Sequence, residues 1–119
     1  YSELSEANAE LERDIQARRR AEATAAHLAH HDALTDLPNR RLLFDRLGQE
    51  LSMAERSHSH GALLFIDLDH FKTVNDTRGH LLGDTILLEA ALRLRGSVRE
   101  GDLVARLGGD EFVVVLAAL

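Results

Sequence analysis

The sequence predicts an α/β (α+β) fold, in which helices flank a sheet containing an antiparallel hairpin and a long helix precedes both. Three observations lead to this prediction. Residues 2 to about 32 lack Gly and Pro and are rich in helix-forming residues. Residues 62–66 form a continuous apolar run, which is typical of a buried strand. Gly108 and Gly109 separate two further apolar runs, as in a tight hairpin.

The composition excludes several classes of protein. The chain has 119 residues, a formal net charge of −6 and no Cys. The lack of Cys excludes disulfides, thiolate metal sites and a cysteine nucleophile, and the acidic balance argues against nucleic acid as a partner. No apolar run approaches the roughly 20 residues of a membrane span, so we expect no direct membrane contact in this segment. The chain ends in an apolar run that begins at Phe112, which we interpret as an interrupted domain.

The first helix carries a heptad pattern that weakens after Ile15. Position a includes Tyr1, Asn8 and Ile15, and position d includes Leu4 and Leu11. An Asn at position a favours a parallel dimer of fixed register, so we predict a dimeric coiled coil. The alternative is a helix that packs against its own domain.

The remaining elements follow from apolar periodicity and from residues that interrupt helices. Residues 34–39 break the first helix, and Pro38 places a boundary at Leu37 because the residue before a proline disfavours helix. A second helix is expected from about 40 to 56, with an apolar face made of Leu43, Leu47, Leu51 and Ala54. After a loop at 57–61, the apolar run at 62–66 predicts a strand buried on both faces.

The second half of the chain predicts two helices and the hairpin. A short helix is expected from Asp69, as its N-cap, to Val74, and a loop from 75 to 83. Asp84 is expected to cap a third helix, whose inward residues are Leu87, Ala91, Leu94 and Val98. The hairpin strands are predicted at 103–107 and 111–116.

Acidic residues at the ends of the predicted strands form a candidate cation site. Asp67 follows the apolar run, and Asp110 and Glu111 lie at the hairpin turn. Oxygen ligands without Cys or His suit Mg²⁺ or Mn²⁺, which commonly bridge carboxylates and phosphates. The alternative, that these acids only cap helices and turns, stays open at this point. Two interpretations are also open for Gly108 and Gly109. They either serve only to make the turn, or they let a ligand lie against the backbone because they lack side chains.

Several linked motifs resemble the GGDEF domains of bacterial diguanylate cyclases. Residues 106–112 read Arg-Leu-Gly-Gly-Asp-Glu-Phe, which contains the literal signature. Residues 31–41 are similar to the first segment of that domain, although Asp36 stands where Gly is commoner. Residues 67–72 resemble the metal and substrate block. The resemblance covers about residues 30–119.

The resemblance implies a sheet like that of nucleotide cyclases and polymerase palm domains. It also implies condensation of two GTP molecules into cyclic di-GMP and two pyrophosphates by a homodimer in which each subunit holds one GTP. Residues 1–30 would be a signalling linker helix and residues 31–119 a GGDEF domain that is incomplete at its C-terminus. An upstream sensor domain in the same polypeptide and a cytoplasmic location are expected, with membrane anchoring upstream left open.

The resemblance assigns roles to residues by position. Asp67, the Leu68 carbonyl and Asp110 would hold Mg²⁺ or Mn²⁺, with two ions in each active site. Asp110 and Glu111 would be the essential acids, with the general base not assigned to either. Substrate contacts would come from the following residues: Lys72 and the Phe71 amide for phosphate, Asn75, His80 and Asp84 for guanine, and Gly108 and Gly109 beside the nucleotide.

Arg99 and Asp102 match the Arg-x-x-Asp motif through which relatives bind product as an inhibitor. The alternative for this pair is an ion pair in a surface turn. For the whole chain, the alternative to a cyclase is a catalytically silent GGDEF domain that serves as a receptor for cyclic di-GMP or GTP, or as a dimeric signal-relay module.

Overall fold

The computed structural model describes residues 2–119. The helices and strands are α1 (Ser2–His30), α2 (Arg40–Ser57), β1 (Ala62–Asp67), α3 (Phe71–Arg78), α4 (His80–Ser97), β2 (Leu103–Gly108) and β3 (Glu111–Leu116). The fold class is confirmed, because a three-stranded antiparallel sheet is flanked by helices and preceded by a long helix. No helix in the described part of the chain is long and apolar enough to cross a membrane.

Helix α1 contributes no buried residue to the domain. Its apolar side chains are open to solvent, with Leu4 68% and Leu11 58% exposed. The alternative in which this helix packs along its own domain is therefore not what the structure shows. Pairing with a second copy stays a prediction, and Tyr1 of the heptad pattern lies outside the described residues.

The sheet is ordered β1-β3-β2, with both pairs antiparallel. Because β3 lies in the centre, its side chains are covered on both faces, and residues 112–115 are all buried. Asp67 at the end of β1 lies opposite Glu111 at the start of β3. The register shifts between Arg106 and Gly108, so the pairing of β2 with β3 is irregular just before the turn.

Successive residues of β3 point to opposite faces of the sheet and so contribute to two cores. Phe112 and Val114 pack with Leu87 and Ala91 of α4 on one face. Val113 and Val115 pack with Leu43 of α2 on the other. Phe112 is 0% exposed, and burial of a side chain of this size stabilises the fold by roughly 2 to 3 kcal/mol. The inward positions predicted for α4 are confirmed, with Leu94 and Val98 partly buried beside them.

The prediction that β1 is buried on both faces is wrong. Leu63, Leu64 and Phe65 are 43%, 45% and 72% exposed, respectively. An apolar run predicts a strand but not what covers it, and β1 pairs only with β3 at the edge of this sheet. On one side, residues of α2 and β1 line an apolar cavity of about 220 Å³. Leu51 of the predicted apolar face of α2 lines this cavity and is 64% exposed.

The boundaries predicted for α3 and α4 are also wrong. Residues 75–83, expected as a loop, are helical except at Gly79, which has a φ of +90° and separates the two helices. Helix α4 begins at His80, so Asp84 lies in its second turn and does not cap it. The left-handed φ available to glycine lets the chain turn sharply within one residue, and no longer loop is needed.

Residues 31–39, which we call the connecting segment, join α1 to α2. Asp36 in this segment has a φ of 60°, in the left-handed region, which explains why Gly is commoner at the position. Its carboxylate lies 2.5 Å from Nε2 of His27 on α1. The segment ends at Asn39, whose side chain accepts a hydrogen bond from the Leu42 amide and caps α2.

Candidate active site

Three carboxyl groups lie together where β1 ends and the hairpin turns. Asp67 and Glu111 are paired in the strand register, and Asp110 precedes Glu111 in the turn. The Asp110 carboxyl raises the pKa of Asp67, because two facing carboxyl groups are stabilised when one of them holds a proton. Desolvation and the charge of Glu111 raise this pKa further. The structure thus brings together the acids that the sequence singles out.

The donor atoms around Asp67 suit a hard cation. The Leu68 carbonyl accepts a long hydrogen bond, 3.4 Å, from the Phe71 amide and retains a second lone pair. Within residues 2–119, no group of three or more His, Cys, Asp or Glu side chains is arranged to hold a metal ion. Two carboxylates and a carbonyl nevertheless fit Mg²⁺, which usually completes its coordination with water and substrate phosphates.

Asp69 does not cap the short helix, contrary to the prediction. Helix α3 begins at Phe71, after His70, which has a left-handed φ of 60° and makes no capping hydrogen bond. The helix therefore starts two residues later than Asp69, and Lys72 lies in its first turn. Lys72 is exposed and forms no salt bridge with any residue in the described range. Its ammonium group is therefore open to an anionic ligand.

The three residues predicted to recognise guanine lie where α3 meets α4. His80 and Asp84 are four residues apart and share a face of α4, while Asn75 comes from α3. Oδ1 of Asn75 is buried without a hydrogen-bond partner in the described structure. A Cβ at Gly83 would overlap with this oxygen and would lie 2.9 Å from Asn75 Cγ. The lack of a side chain at Gly83 therefore makes room for the Asn75 amide.

The two signature glycines are required by the backbone of the turn. Gly108 has a φ of 145° and Gly109 a φ of 51°, conformations that residues with a side chain rarely adopt. The space beside them is open, since a Cβ at either position would meet no atom within 4 Å. The plain-turn interpretation therefore accounts for the glycines, and the open space leaves room for a ligand.

The Arg-x-x-Asp pair forms the ion pair that the alternative interpretation expects. Arg99 Nε lies 3.5 Å from Asp102 Oδ2, and Nη2 donates to the Ala117 carbonyl at 2.8 Å. The Asp102 side chain is only 3% exposed and accepts from the Ala117 and Arg99 amides, both at 3.0 Å. The Ala117 amide first, and then Arg99, hold the pKa of Asp102 below its usual value.

The same pair borders a groove on the surface. The groove has a volume of about 260 Å³ and is lined by both residues together with Pro38 and Arg95. Asp102 is thus already a structural acceptor, whereas the largely exposed Arg99 is accessible from the groove.

Reasoning from local sequence missed one set of contacts at the site. Arg106, just before the signature glycines, binds Asp32 of the connecting segment and also the Gly109 carbonyl. Arg106 and Asp32 are 74 residues apart in the chain, so no helical or strand periodicity relates them. The contact could have been suspected only because Arg106 and Asp32 both lie within segments, 106–112 and 31–41, that resemble the GGDEF domain.

Comparison with known proteins agrees with the resemblance to GGDEF domains. Residues 29–119 match the family model described as diguanylate cyclase, GGDEF domain. The chain is 56% identical over 97 residues to diguanylate cyclase TpbB of Pseudomonas aeruginosa, covering 82% of this chain and 22% of that protein. It is 54% identical over 99 residues to MucR of the same species, named a bifunctional diguanylate cyclase and cyclic di-GMP phosphodiesterase, covering 83% of this chain and 14% of MucR.

Solved structures show the same fold. The GGDEF domain of P. aeruginosa TpbB superposes with a TM-score of 0.74 at 56% identity, covering 76% of this chain and 52% of that one. The coiled coil and GGDEF domain of DgcB from Caulobacter crescentus, in complex with cyclic di-GMP, gives a TM-score of 0.82 at 30% identity. That match covers 99% of this chain and 60% of DgcB, so the chain spans little more than half of these structures.

Proposed function

Because this chain belongs to the GGDEF diguanylate cyclase family, we propose that the full-length protein condenses two GTP molecules into cyclic di-GMP and two pyrophosphates. The observation that carries the proposal is the convergence of Asp67, Asp110 and Glu111 at the ends of adjacent strands. A structural role alone would not favour this arrangement, because facing carboxylates repel each other unless a proton or a cation lies between them.

Mg²⁺, or Mn²⁺ in its place, is the cation proposed for this site. Asp67, Asp110 and the Leu68 carbonyl would hold it, with two ions in each active site. The metal would supply charge neutralisation at the phosphates and a lower pKa for the attacking hydroxyl. The support is the donor chemistry together with the raised pKa of Asp67, since a cation placed between Asp67 and Asp110 would relieve their repulsion.

The acids and the residues around them would supply the other functions that the reaction needs, which are proton transfer, phosphate binding and room for the nucleotide. Either Asp110 or Glu111 would accept the proton of the 3′-hydroxyl that attacks the α-phosphate of the second GTP. Lys72 would place a point charge beside the phosphates. The Phe71 amide, whose hydrogen bond to the Leu68 carbonyl is long at 3.4 Å, would donate to phosphate in its place. Open space beside Gly108 and Gly109 would let the nucleotide approach the backbone.

Selectivity for guanine would come from Asn75, His80 and Asp84. The Asp84 carboxylate suits the N1–H and amino donors of guanine, which adenine does not present in the same arrangement. Asn75, which projects from α3 at the same junction, would contribute its side-chain amide to the recognition of the base.

The protein would act as a homodimer, because each subunit holds one of the two GTP molecules that react. Residues 1–30 would form the linker that joins an upstream sensor to the GGDEF domain of residues 31–119, in the cytoplasm. The exposed apolar residues of α1 support pairing with a second copy. Arg99 and Asp102 would bind cyclic di-GMP as an inhibitor, with Arg99 the more accessible of the two.

The test is turnover by the full-length protein with GTP and Mg²⁺. We expect cyclic di-GMP to form with wild type and to disappear with Glu111→Gln, which keeps the size of the side chain but removes its charge. Glu55→Gln on the exposed surface of α2 is the matched control and should be fully active. Binding of cyclic di-GMP without turnover in wild type would support the receptor alternative and contradict the proposal.

A further inference from the structure

Arg106 uses both edges of its guanidinium group to join two distant parts of the chain. Nη1 donates to the two carboxylate oxygens of Asp32 at 2.8 and 3.0 Å. Nε and Nη2 donate to the Gly109 carbonyl at 3.0 and 2.8 Å. The Arg106 and Asp32 side chains are only 12% and 17% exposed, so this pair is shielded from competing water. A planar fork of donors is needed to serve both acceptors at once.

The Asp32 end of this link is held in place by its own neighbours. Its carboxylate accepts from the amide and the hydroxyl of Thr35 at 2.9 and 2.8 Å, and its amide donates to the Leu37 carbonyl at 2.7 Å. Burial raises the pKa of Asp32, but the hydrogen bonds from Thr35 and Arg106 outweigh it and keep the pKa below its usual value. Asp32 lies two residues after the end of α1.

At the Gly109 end of the link, the strand pairing closes at Gly108 and Glu111, and Arg106 adds two hydrogen bonds to the Gly109 carbonyl between them. Gly108, at the end of β2, and Gly109, in the turn, both have positive φ, and the strand pairing is irregular between Arg106 and Gly108. Such a turn has many accessible backbone conformations. Two hydrogen bonds to the Gly109 carbonyl therefore restrict the peptide that leads directly into Asp110.

We propose that Arg106 is a positioning residue that fixes the signature turn, and with it Asp110 and Glu111, relative to the connecting segment that follows α1. The inference rests on the proposed cyclase function for its effect on turnover. Arg106 touches neither the nucleotide nor the metal in this account and acts only through the backbone of the turn. A change in the position of α1 would reach the catalytic acids by the same route, through Asp32.

The test compares Arg106→Lys with wild type in the full-length protein. Lysine keeps the positive charge, but its single ammonium group cannot hold Asp32 and the Gly109 carbonyl together. We expect kcat to fall by about 10-fold to 100-fold, the effect of displacing catalytic groups by up to 1 Å, while the KM for GTP changes by less than about threefold. Arg93→Lys, in the exposed pair with Glu89, is the matched control and should leave both constants unchanged.

A second readout does not depend on turnover. Hydrogen exchange of a peptide spanning residues 106–112 should be faster in Arg106→Lys than in wild type, while exchange in α4 stays the same. If Arg106→Lys does not fold, Asp32→Asn, which weakens one end of the link, should show the same change to a lesser degree. Unchanged exchange in the turn, or an unchanged kcat in a folded variant, would overturn the inference. If the wild-type protein makes no cyclic di-GMP, only the proposed cyclase function is refuted. The hydrogen-exchange result would still decide whether Arg106 fixes the turn.

Discussion

Replacing Gly83 with alanine tests the packing that places Asn75 in the predicted guanine site. A Cβ at this position would overlap with Asn75 Oδ1 and lie 2.9 Å from Asn75 Cγ, while the Phe71 ring lies 3.4 Å away on the same side. The whole amide group would therefore have to move. Gly96 on the same helix is the matched control, because a Cβ there would meet nothing within 4 Å.

The expected difference follows from two opposing effects. Alanine stabilises the interior of a helix relative to glycine by about 1 kcal/mol, and each variant gains up to this amount. Overpacking at Gly83 costs about 1 to 3 kcal/mol, and only that variant carries the cost. Gly96→Ala should thus be more stable than wild type, and Gly83→Ala should be about 1 to 3 kcal/mol less stable than Gly96→Ala.

Two assays separate packing from recognition. Urea unfolding of the full-length variants gives the difference in the free energy of unfolding. Turnover at varied GTP gives KM, which should rise for Gly83→Ala and stay at the wild-type value for Gly96→Ala. Equal stability of the two variants together with an unchanged KM would refute the placement of Asn75 against Gly83.

Further predictions concern the acids and the proposed inhibitory pair. In metal-free protein, Asp67→Asn should raise the unfolding temperature, because it removes the repulsion between Asp67 and Asp110. The pKa of Asp67 in the folded protein is raised from 3.8, so the increase in unfolding temperature should grow as the pH rises above that value. A gain independent of pH would count against this account. Asp32→Asn should destabilise the fold by about 1 to 3 kcal/mol at neutral pH through weaker bonds to Arg106. Because the folded pKa of Asp32 is lowered from 3.8, the deficit should be full above that value and vanish as the pH falls through the lower folded pKa, which acid titration of thermal unfolding would measure. Arg99→Ala should raise the cyclic di-GMP concentration needed for half inhibition about tenfold or more, and an unchanged value would remove Arg99 from the inhibitory site.

The elements with strong periodicity and clear end signals could be predicted from the sequence. The strand pair around Gly108 and Gly109 and the inward face of α4 follow from apolar spacing, and the structure confirms them. The start of α2 near residue 40 follows from the break at Pro38, and the structure adds Asn39 as its N-cap. In each case the determining interactions lie within a few residues of one another.

The errors arose where distant residues, or the backbone conformation of a single residue, decide the outcome. The exposure of Phe65 depends on what packs over β1, and an apolar run carries no information about its neighbours. The break at Gly79 depends on a single positive φ, so a predicted loop became the end of one helix and the start of another. The link from Arg106 to Asp32 spans 74 residues and becomes visible only once the chain is folded.

The candidate site was predicted largely through the resemblance, with strand ends supplying independent support. Without the resemblance, the sequence left two interpretations open for Asp67 and Asp110, a cation site or a capping role at helices and turns. Asp67 lies opposite Glu111 in the strand register, and the neighbouring Asp110 carboxyl raises the pKa of Asp67, a proximity that capping roles would not require. The roles of Lys72 and Asp84 remain predictions, because each would act on a substrate group.

The central claim is that Asp67 and its neighbouring acids form the catalytic centre of a diguanylate cyclase. It is tested most directly by measuring cyclic di-GMP formation from GTP and Mg²⁺ with full-length wild type, Asp67→Asn and the exposed α2 control Asp45→Asn. We predict product from wild type and Asp45→Asn, and loss of product with Asp67→Asn in a protein that remains folded. Wild-type turnover by a folded Asp67→Asn variant would contradict the claim.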